Sequence, residues 1–181
     1  MNQKKDILKS VVVLTVICLV ISAALAIVNH FTAPVSAANA AAREEDMRRA
    51  VLRDAKSFQQ LSDLALPDGV VGAYVGKDAM GAANGYIFTV EGKGFGGPIS
   101  VTCAIDLNGK ILQCSTLDVS GETKTLGGKV AEKSYTDQYA GQDASLGGVD
   151  TISGATVTSH AYEDCVRKAF EAYESIKGAG A

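Results

Sequence analysis

The polarity pattern along the chain divides it into a short basic leader, one long apolar run and a mixed remainder. Val11 to Val28 reads VVVLTVICLVISAALAIV, eighteen residues without a charge, an amide or a proline. As a helix rising about 1.5 Å per residue, such a run covers about 27 Å, close to the hydrocarbon thickness of about 30 Å, and Ile7 and Leu8 lengthen it. A signal peptide is the rival reading, because Lys4 and Lys5 form a basic leader and Ala38-Asn39-Ala40 has a small-x-small pattern. The apolar core is too long for that class, and the small-x-small site lies ten residues past its end. An uncleaved anchor over residues 11–29 is therefore expected, with 1–10 as a separate leader.

Beyond the span the period changes. Met47, Ala50, Val51, Asp54 and Phe58 recur every three or four residues within an Ala-, Glu- and Arg-rich stretch, which predicts a helix over 37–60 inside a membrane-proximal segment, 30–66. Pro67-Asp68-Gly69 is a turn signal that opens the main domain, 67–177. Short β-like runs follow at 70–75, 86–91, 99–106 and 110–118, punctuated by Gly and Asn. A short helix is expected near 130–139, and a longer one from Thr158 or Ser159 to Gly178, with the hydroxyl as its cap and Tyr162, Cys165, Val166, Ala169, Phe170 and Tyr173 as its apolar stripe. The last residues, 178–181, should fray. The fold class is α+β: a twisted antiparallel sheet with flanking helices behind one membrane span.

Asn108-Gly109 favours a two-residue type I′ hairpin. That register sets Ile105 opposite Leu112 and Cys103 opposite Cys114, with Val101 on the same apolar face. The two cysteines should be core neighbours. Facing Cβ atoms about 4.5–5.5 Å apart exceed the disulfide mean of about 3.8 Å, so two free, buried thiols are expected.

Charge sets the expected topology. Lys4, Lys5 and Lys9 precede the span and no Lys or Arg follows it until Arg43, which predicts a cytoplasmic N-terminus and a domain outside. The whole chain has 17 basic and 20 acidic side chains; beyond residue 29 the balance is 14 against 19, or −5. A nucleic-acid partner is not expected from so acidic a domain. At 47% hydrophobic and 20% charged residues, the composition is that of a folded protein.

Most catalytic readings find little support. Gly92, Gly94 and Gly97 spell G-x-G-x-x-G after a strand, but Pro98 and the β-branched run after it continue as strand instead of opening a helix, so a dinucleotide fold is set aside. His30 and His160 have no Cys or carboxylate at metal spacing, and there is no C-x-x-C, so no metal site is expected. What remains is Asp150-Thr151-Ile152-Ser153-Gly154-Ala155-Thr156, with Val157-Thr158-Ser159 after it. It offers hydroxyls, approachable backbone N–H groups and the positive end of a helix dipole, which together suit a phosphate group. A Ser/Thr-rich helix cap would show the same residues.

Asp150-x-x-Ser153-Gly154-Ala155-Thr156 resembles the flavinylation motif of the RnfG and NqrC family, the FMN-binding subunits of the Rnf and Na⁺-translocating NADH:quinone oxidoreductase complexes. Gly92-Lys93-Gly94-Phe95-Gly96-Gly97-Pro98-Ile99 resembles the family's glycine-rich segment, and Glu122-Thr123 with Leu126-Gly127 its E-T-P-G-L-G motif, although Lys124 and Thr125 replace Pro-Gly. Order, spacing and the single span match as well. The resemblance implies FMN joined by a phosphoester to Thr156, put there by a separate flavin transferase that recognises Asp150. It also implies flavin contacts at Ser153, Gly154, Ala155, Glu122, Thr123, Leu126, Gly127, Gly94 and Gly96. The implied role is electron relay in a membrane-bound ion-translocating ferredoxin:NAD oxidoreductase, beside its other membrane and peripheral subunits, with no turnover by this chain alone. The shortness of the chain favours the Rnf type over the quinone reductase. A membrane-anchored FMN module with a binding or sensory role is the reading from another class.

Overall fold

The computed structural model describes residues 3–62 and 66–179. The chain separates into two compact units, Met1–Arg43 and Glu44–Ala181.

The first unit is helical throughout its described residues and belongs to α1, which runs from Gln3 to Val51. The described part of the expected leader and the span are thus one helix. Among the described residues it is the helix long and apolar enough to cross a membrane. Its two threonines spend their hydroxyls on the preceding turn, Thr15 Oγ1 to the Val11 carbonyl at 2.9 Å and Thr32 Oγ1 to that of Val28 at 3.0 Å. Such internal pairing lets a hydroxyl sit in an apolar medium. Pro34 lies past the apolar run, so the donor it lacks is missing outside the span.

The second unit is built on a five-stranded antiparallel meander in the order β1 (Ser57–Gln60), β2 (Val70–Lys77), β3 (Ala83–Lys93), β4 (Pro98–Ile105) and β5 (Ile111–Asp118). The four β-like runs of the sequence are four of these strands. The fifth, β1, corrects an expectation: the helix predicted to reach Gln60 ends at Val51, and residues 57–60 pair with Lys77 back to Tyr74 of β2. The helical spacing of Val51 and Phe58 misleads because both serve the same sheet face from different elements. Val51, Leu52 and Ala55 are buried against Ile87 and Ala104 there, and Phe58 and Tyr74 pack beside them. Gly76 makes room for Leu52, whose Cδ2 a Cβ would strike.

The opposite face carries the main core under α3 (Thr156–Ala179). The predicted stripe of Tyr162, Cys165, Val166, Ala169, Phe170 and Tyr173 is buried there, against Phe88, Val90, Ile99, Val101, Cys103 and Ile105. Seven of the eight residues of β4 are buried, as suits a strand covered on both faces. The helix starts at Thr156, ahead of the predicted Thr158 or Ser159, and Gly178 and Ala179 still belong to it; 180 and 181 lie outside the described residues. Ser159 does not cap it. Its Oγ accepts the Ile152 N–H at 3.0 Å, and the first helical acceptor is the Ala155 carbonyl.

Cys103 does face Cys114, but by a different route from the one expected. Only Gly109 takes positive φ (+81°) in the turn, Asp106 Oδ1 accepts the N–H groups of Asn108 and Lys110, and Asp106 pairs with Lys110. This is a three-residue loop, which sets Ile105 opposite Ile111. A register shift between Ala104 and Ile105 then restores the cysteine pairing. Ile111 is consequently buried, and Leu112 is 41% exposed instead of lying in the core.

The predicted helix at 130–139 is broken into 3₁₀ turns at Gly127–Ala131 and Asp137–Tyr139 around the single turn α2 (Lys133–Thr136). Its purpose is packing: Val130, Tyr135 and Tyr139 are buried in the main core.

Candidate functional site

Three segments distant in sequence meet at one end of the sheet. The first is the tip joining β3 to β4, where the Gly94 N–H donates to the Gly97 carbonyl at 2.9 Å. Its glycines allow close packing. A Cβ on Gly92 would lie 2.6 Å from Cys165 Sγ of α3, one on Gly94 would run into Glu122 Oε1, and one on Gly96 would strike the Gly121 carbonyl.

The second segment follows β5. Its chain is folded by successive turns, Glu122 N–H to Val119 carbonyl at 3.0 Å and both Leu126 and Gly128 N–H to the Thr123 carbonyl at 3.0 and 2.9 Å. Those turns drive the Glu122 side chain inward, where it is buried. Its Oε1 accepts the Gly96 N–H at 2.9 Å and its Oε2 accepts the Thr158 hydroxyl at 3.1 Å. One carboxylate thus holds all three segments.

The third segment is the turn into α3. The Ala155 N–H donates to the Ile152 carbonyl at 2.9 Å across Gly154, whose φ of +80° is the left-handed value that a type II turn needs at this position. The helix then begins at once, so the N–H groups of Thr156, Val157 and Thr158 have no acceptor within it. The two threonines differ sharply. Thr158 is 1% exposed and bonded to Glu122, whereas Thr156 is exposed.

Between the segments lies a groove of about 400 Å³. Glu122, Thr123, Leu126 and Gly127 line one side, Gly154, Ala155, Thr156, Val157 and Thr158 the other, and Phe95 of the hairpin tip closes it. Seven of the residues named from sequence are therefore brought together. Gly94 and Gly96 do not line the groove and touch it through Glu122. Ser153 and Asp150 are exposed outside it, Asp150 donating its backbone N–H to Gln138 Oε1 at 2.9 Å. Phe95, Val157 and Thr158 line the groove without being named as flavin contacts by the motifs. An aromatic residue between glycines is the available signal for Phe95.

Behind the helix start, the Tyr135 hydroxyl meets the Ser159 carbonyl at 3.4 Å and the Tyr139 hydroxyl at 3.1 Å. Burial pushes both phenols above their ordinary range, so they act as neutral donors and acceptors that brace the first turn. The groove sets a helix start, which suits an anion, beside apolar side chains, with the exposed Thr156 at the first helical position.

Residues 94–171 match the family model described as an FMN-binding domain, which takes in all three segments. The chain is 26% identical over 180 residues to the G component of the proton-translocating ferredoxin:NAD(+) oxidoreductase complex of Clostridium ljungdahlii, covering 91% of this chain and 90% of that one. It is 27% identical over 188 residues to the G component of the ion-translocating oxidoreductase complex of Methanosarcina acetivorans, covering 98% and 100%. The crystal structure of NqrC from Shewanella oneidensis shares the fold, with a TM-score of 0.52 over 69% of this chain and 70% of that one at 16% identity. The groove and its helix-start threonine thus lie within the stretch that matches an FMN-binding domain, and the chain as a whole is similar to the G components of ion-translocating oxidoreductase complexes.

Proposed function

We propose that this chain carries FMN on Thr156 through a phosphoester and relays electrons as the RnfG-type member of a membrane-bound, ion-translocating ferredoxin:NAD oxidoreductase of the Rnf type. The observation that carries the reading is the contrast between two neighbouring threonines: Thr156 is exposed in the groove at the first position of α3, while Thr158 is buried and spent on Glu122. A phosphate on Thr156 Oγ would meet unpaired N–H groups and the positive helix end.

An unassisted Thr hydroxyl is a weak nucleophile, so a separate flavin transferase makes the bond. The Thr156 Oγ–P bond forms, the P–O bond to the adenylyl half of FAD breaks, AMP leaves, and the hydroxyl proton passes to the transferase. The exposed Asp150 carboxylate serves recognition by that enzyme. When bound, the flavin supplies the redox chemistry, and the protein supplies position and surroundings. Gly154 and Ala155 shape the phosphate end, with Ser153 beside them in the turn, Thr123, Leu126 and Gly127 form the groove wall, and Gly94 and Gly96 act through Glu122. Val11 to Val28 anchors the chain in the bilayer, with the lysine-rich end cytoplasmic and the FMN domain (67–177) outside. Other membrane and peripheral subunits supply and remove the electrons.

Intact mass of the chain made with a flavin transferase should show one adduct of FMN less water, absent in Thr156→Ala. An adduct that survives this substitution overturns the assignment. The shared fold with NqrC keeps the quinone-reductase complex as a second reading. Affinity purification from native membranes separates the two by which set of subunits comes with the chain.

A further inference from the structure

We infer that Phe95 is the aromatic surface on which the isoalloxazine ring of FMN rests, an inference that builds on the flavin being attached at Thr156. Phe95 is 81% exposed and belongs to neither core cluster, so folding does not account for its ring. Single exposed apolar residues are ordinary, and exposure alone would carry nothing. What sets this one apart is its mounting. The backbone on either side is fixed, by the Gly94 N–H to Gly97 carbonyl bond at 2.9 Å and by the Gly96 N–H to Glu122 Oε1 bond at 2.9 Å. A Cβ on Gly97 would stand 3.2 Å from Gly121 Cα, so the hairpin tip lies directly on the neighbouring loop. A side chain left in water is thus held on an immobilised backbone.

The direction of that mounting is also informative. Phe95 closes the groove that holds Thr156, and two other exposed apolar side chains, Leu126 and Val157, reach the same groove from the other two segments. The groove joins the helix start at Thr156 to the apolar side chains of Phe95, Leu126 and Val157, a pairing that suits a phosphate at one end of FMN and a flat ring at the other. A ring tethered through its ribityl phosphate at Thr156 cannot diffuse away, and its π-faces favour offset or edge contact with a phenyl ring. Phe95 therefore positions the ring and shields one face from water, and the bond to Glu122 fixes where that face is.

The absence of tryptophan from the chain gives a clean test, because an indole introduced at 95 is then the sole one. Full-length parent, Phe95→Ala and Phe95→Trp chains are flavinylated with the transferase, and intact mass establishes the adduct in each. Phe95→Ala should increase collisional quenching of flavin emission by iodide severalfold and weaken the visible circular dichroism of the flavin. Phe95→Trp should lose most of its flavin emission, since electron transfer from an indole needs contact with the ring. Fully flavinylated variants whose iodide quenching and emission equal the parent's overturn the role of Phe95 and leave the phosphoester reading intact. A parent chain without the adduct overturns that reading and this inference with it.

Discussion

Glu122 Oε2 accepts the Thr158 hydroxyl at 3.1 Å across 36 residues of sequence, and its other oxygen is occupied by the Gly96 N–H. The carboxylate therefore joins the hairpin tip to the first turn of α3 with both oxygens already engaged by the protein. Its part in the site is to hold the walls together.

Removing it should register in stability before any flavin is added. Hydrogen bonds to a charged group contribute about 1.5–3 kcal/mol each, so Glu122→Ala should lower unfolding stability by about 3 kcal/mol, and Thr158→Val, which removes one of the two, by about half of that. Denaturant unfolding of the unflavinylated chain in mild detergent measures both. A Glu122→Ala loss below about 0.5 kcal/mol, the range of neutral surface changes, would refute the clamp.

The proposed function makes Asp150 a residue that the flavin transferase reads. Its carboxylate is exposed and the contact it makes with Gln138 uses the backbone N–H, which alanine retains. Asp150→Ala should keep the parent melting temperature and lose most of the flavin transfer in a timed reaction with the transferase. Complete flavinylation at the parent rate would show that the side chain is not read.

The Cys103 and Cys114 thiols are free, buried and directly opposed on β4 and β5. Burial first, and then the neighbouring Cys114 thiol, hold Cys103 well above the usual thiol range, so it remains protonated and a poor nucleophile in the folded protein. Both cysteines should resist alkylation in the native chain and react promptly once it is denatured under argon. A linked 103–114 peptide in a non-reducing mass map would contradict the free-thiol state.

Cys165 gives a pH dependence with a definite sign. Burial under α3 is the main cause that pushes its thiol up to about 12 from an ordinary value of 9.0, the nearby Cys103 adding to it and Lys168 opposing it. The folded state thus holds the proton longer than the unfolded chain does. Stability from this group is complete below about pH 9 and is lost as pH rises toward 12, by up to about 4 kcal/mol at about 1.4 kcal/mol per pH unit. The stability advantage of the parent over Cys165→Ala should shrink between pH 8 and about pH 11. An advantage that stays constant over that range would mean the thiol is not protonation-linked to folding.

The sheet is legible in the sequence because β2 to β5 are apolar runs separated by turn residues, and α3 because its stripe keeps a helical period over several turns. β1 is not, since Phe58 sits where a helical repeat from Val51 would also put it. The cysteine pairing follows from the sequence even though the turn does not. Asp106 captures two N–H groups and enlarges the loop by one residue, and the register shift beside Ala104 takes that residue back. At the site, the local motifs name most of one groove. The place of Glu122 cannot be read from them, because its partners lie 26 and 36 residues away and are brought to it only by the hairpin and by α3.

The crowding around that carboxylate also orders the substitutions that the chain can accept. A Cβ on Gly94 or Gly127 would run into the Glu122 carboxyl, and one on Gly127 would also stand 2.9 Å from Thr158 Oγ1. Either alanine is therefore opposed while Glu122 is present, and loss of Glu122 removes the closest of the opposing contacts. Gly127→Ala should be harmful alone and less harmful after Glu122→Ala, with the contact to Thr158 Oγ1 still to be relieved, so the order of the two changes matters. A lineage that keeps the carboxylate is thereby committed to its glycines, although none of them offers a functional group of its own.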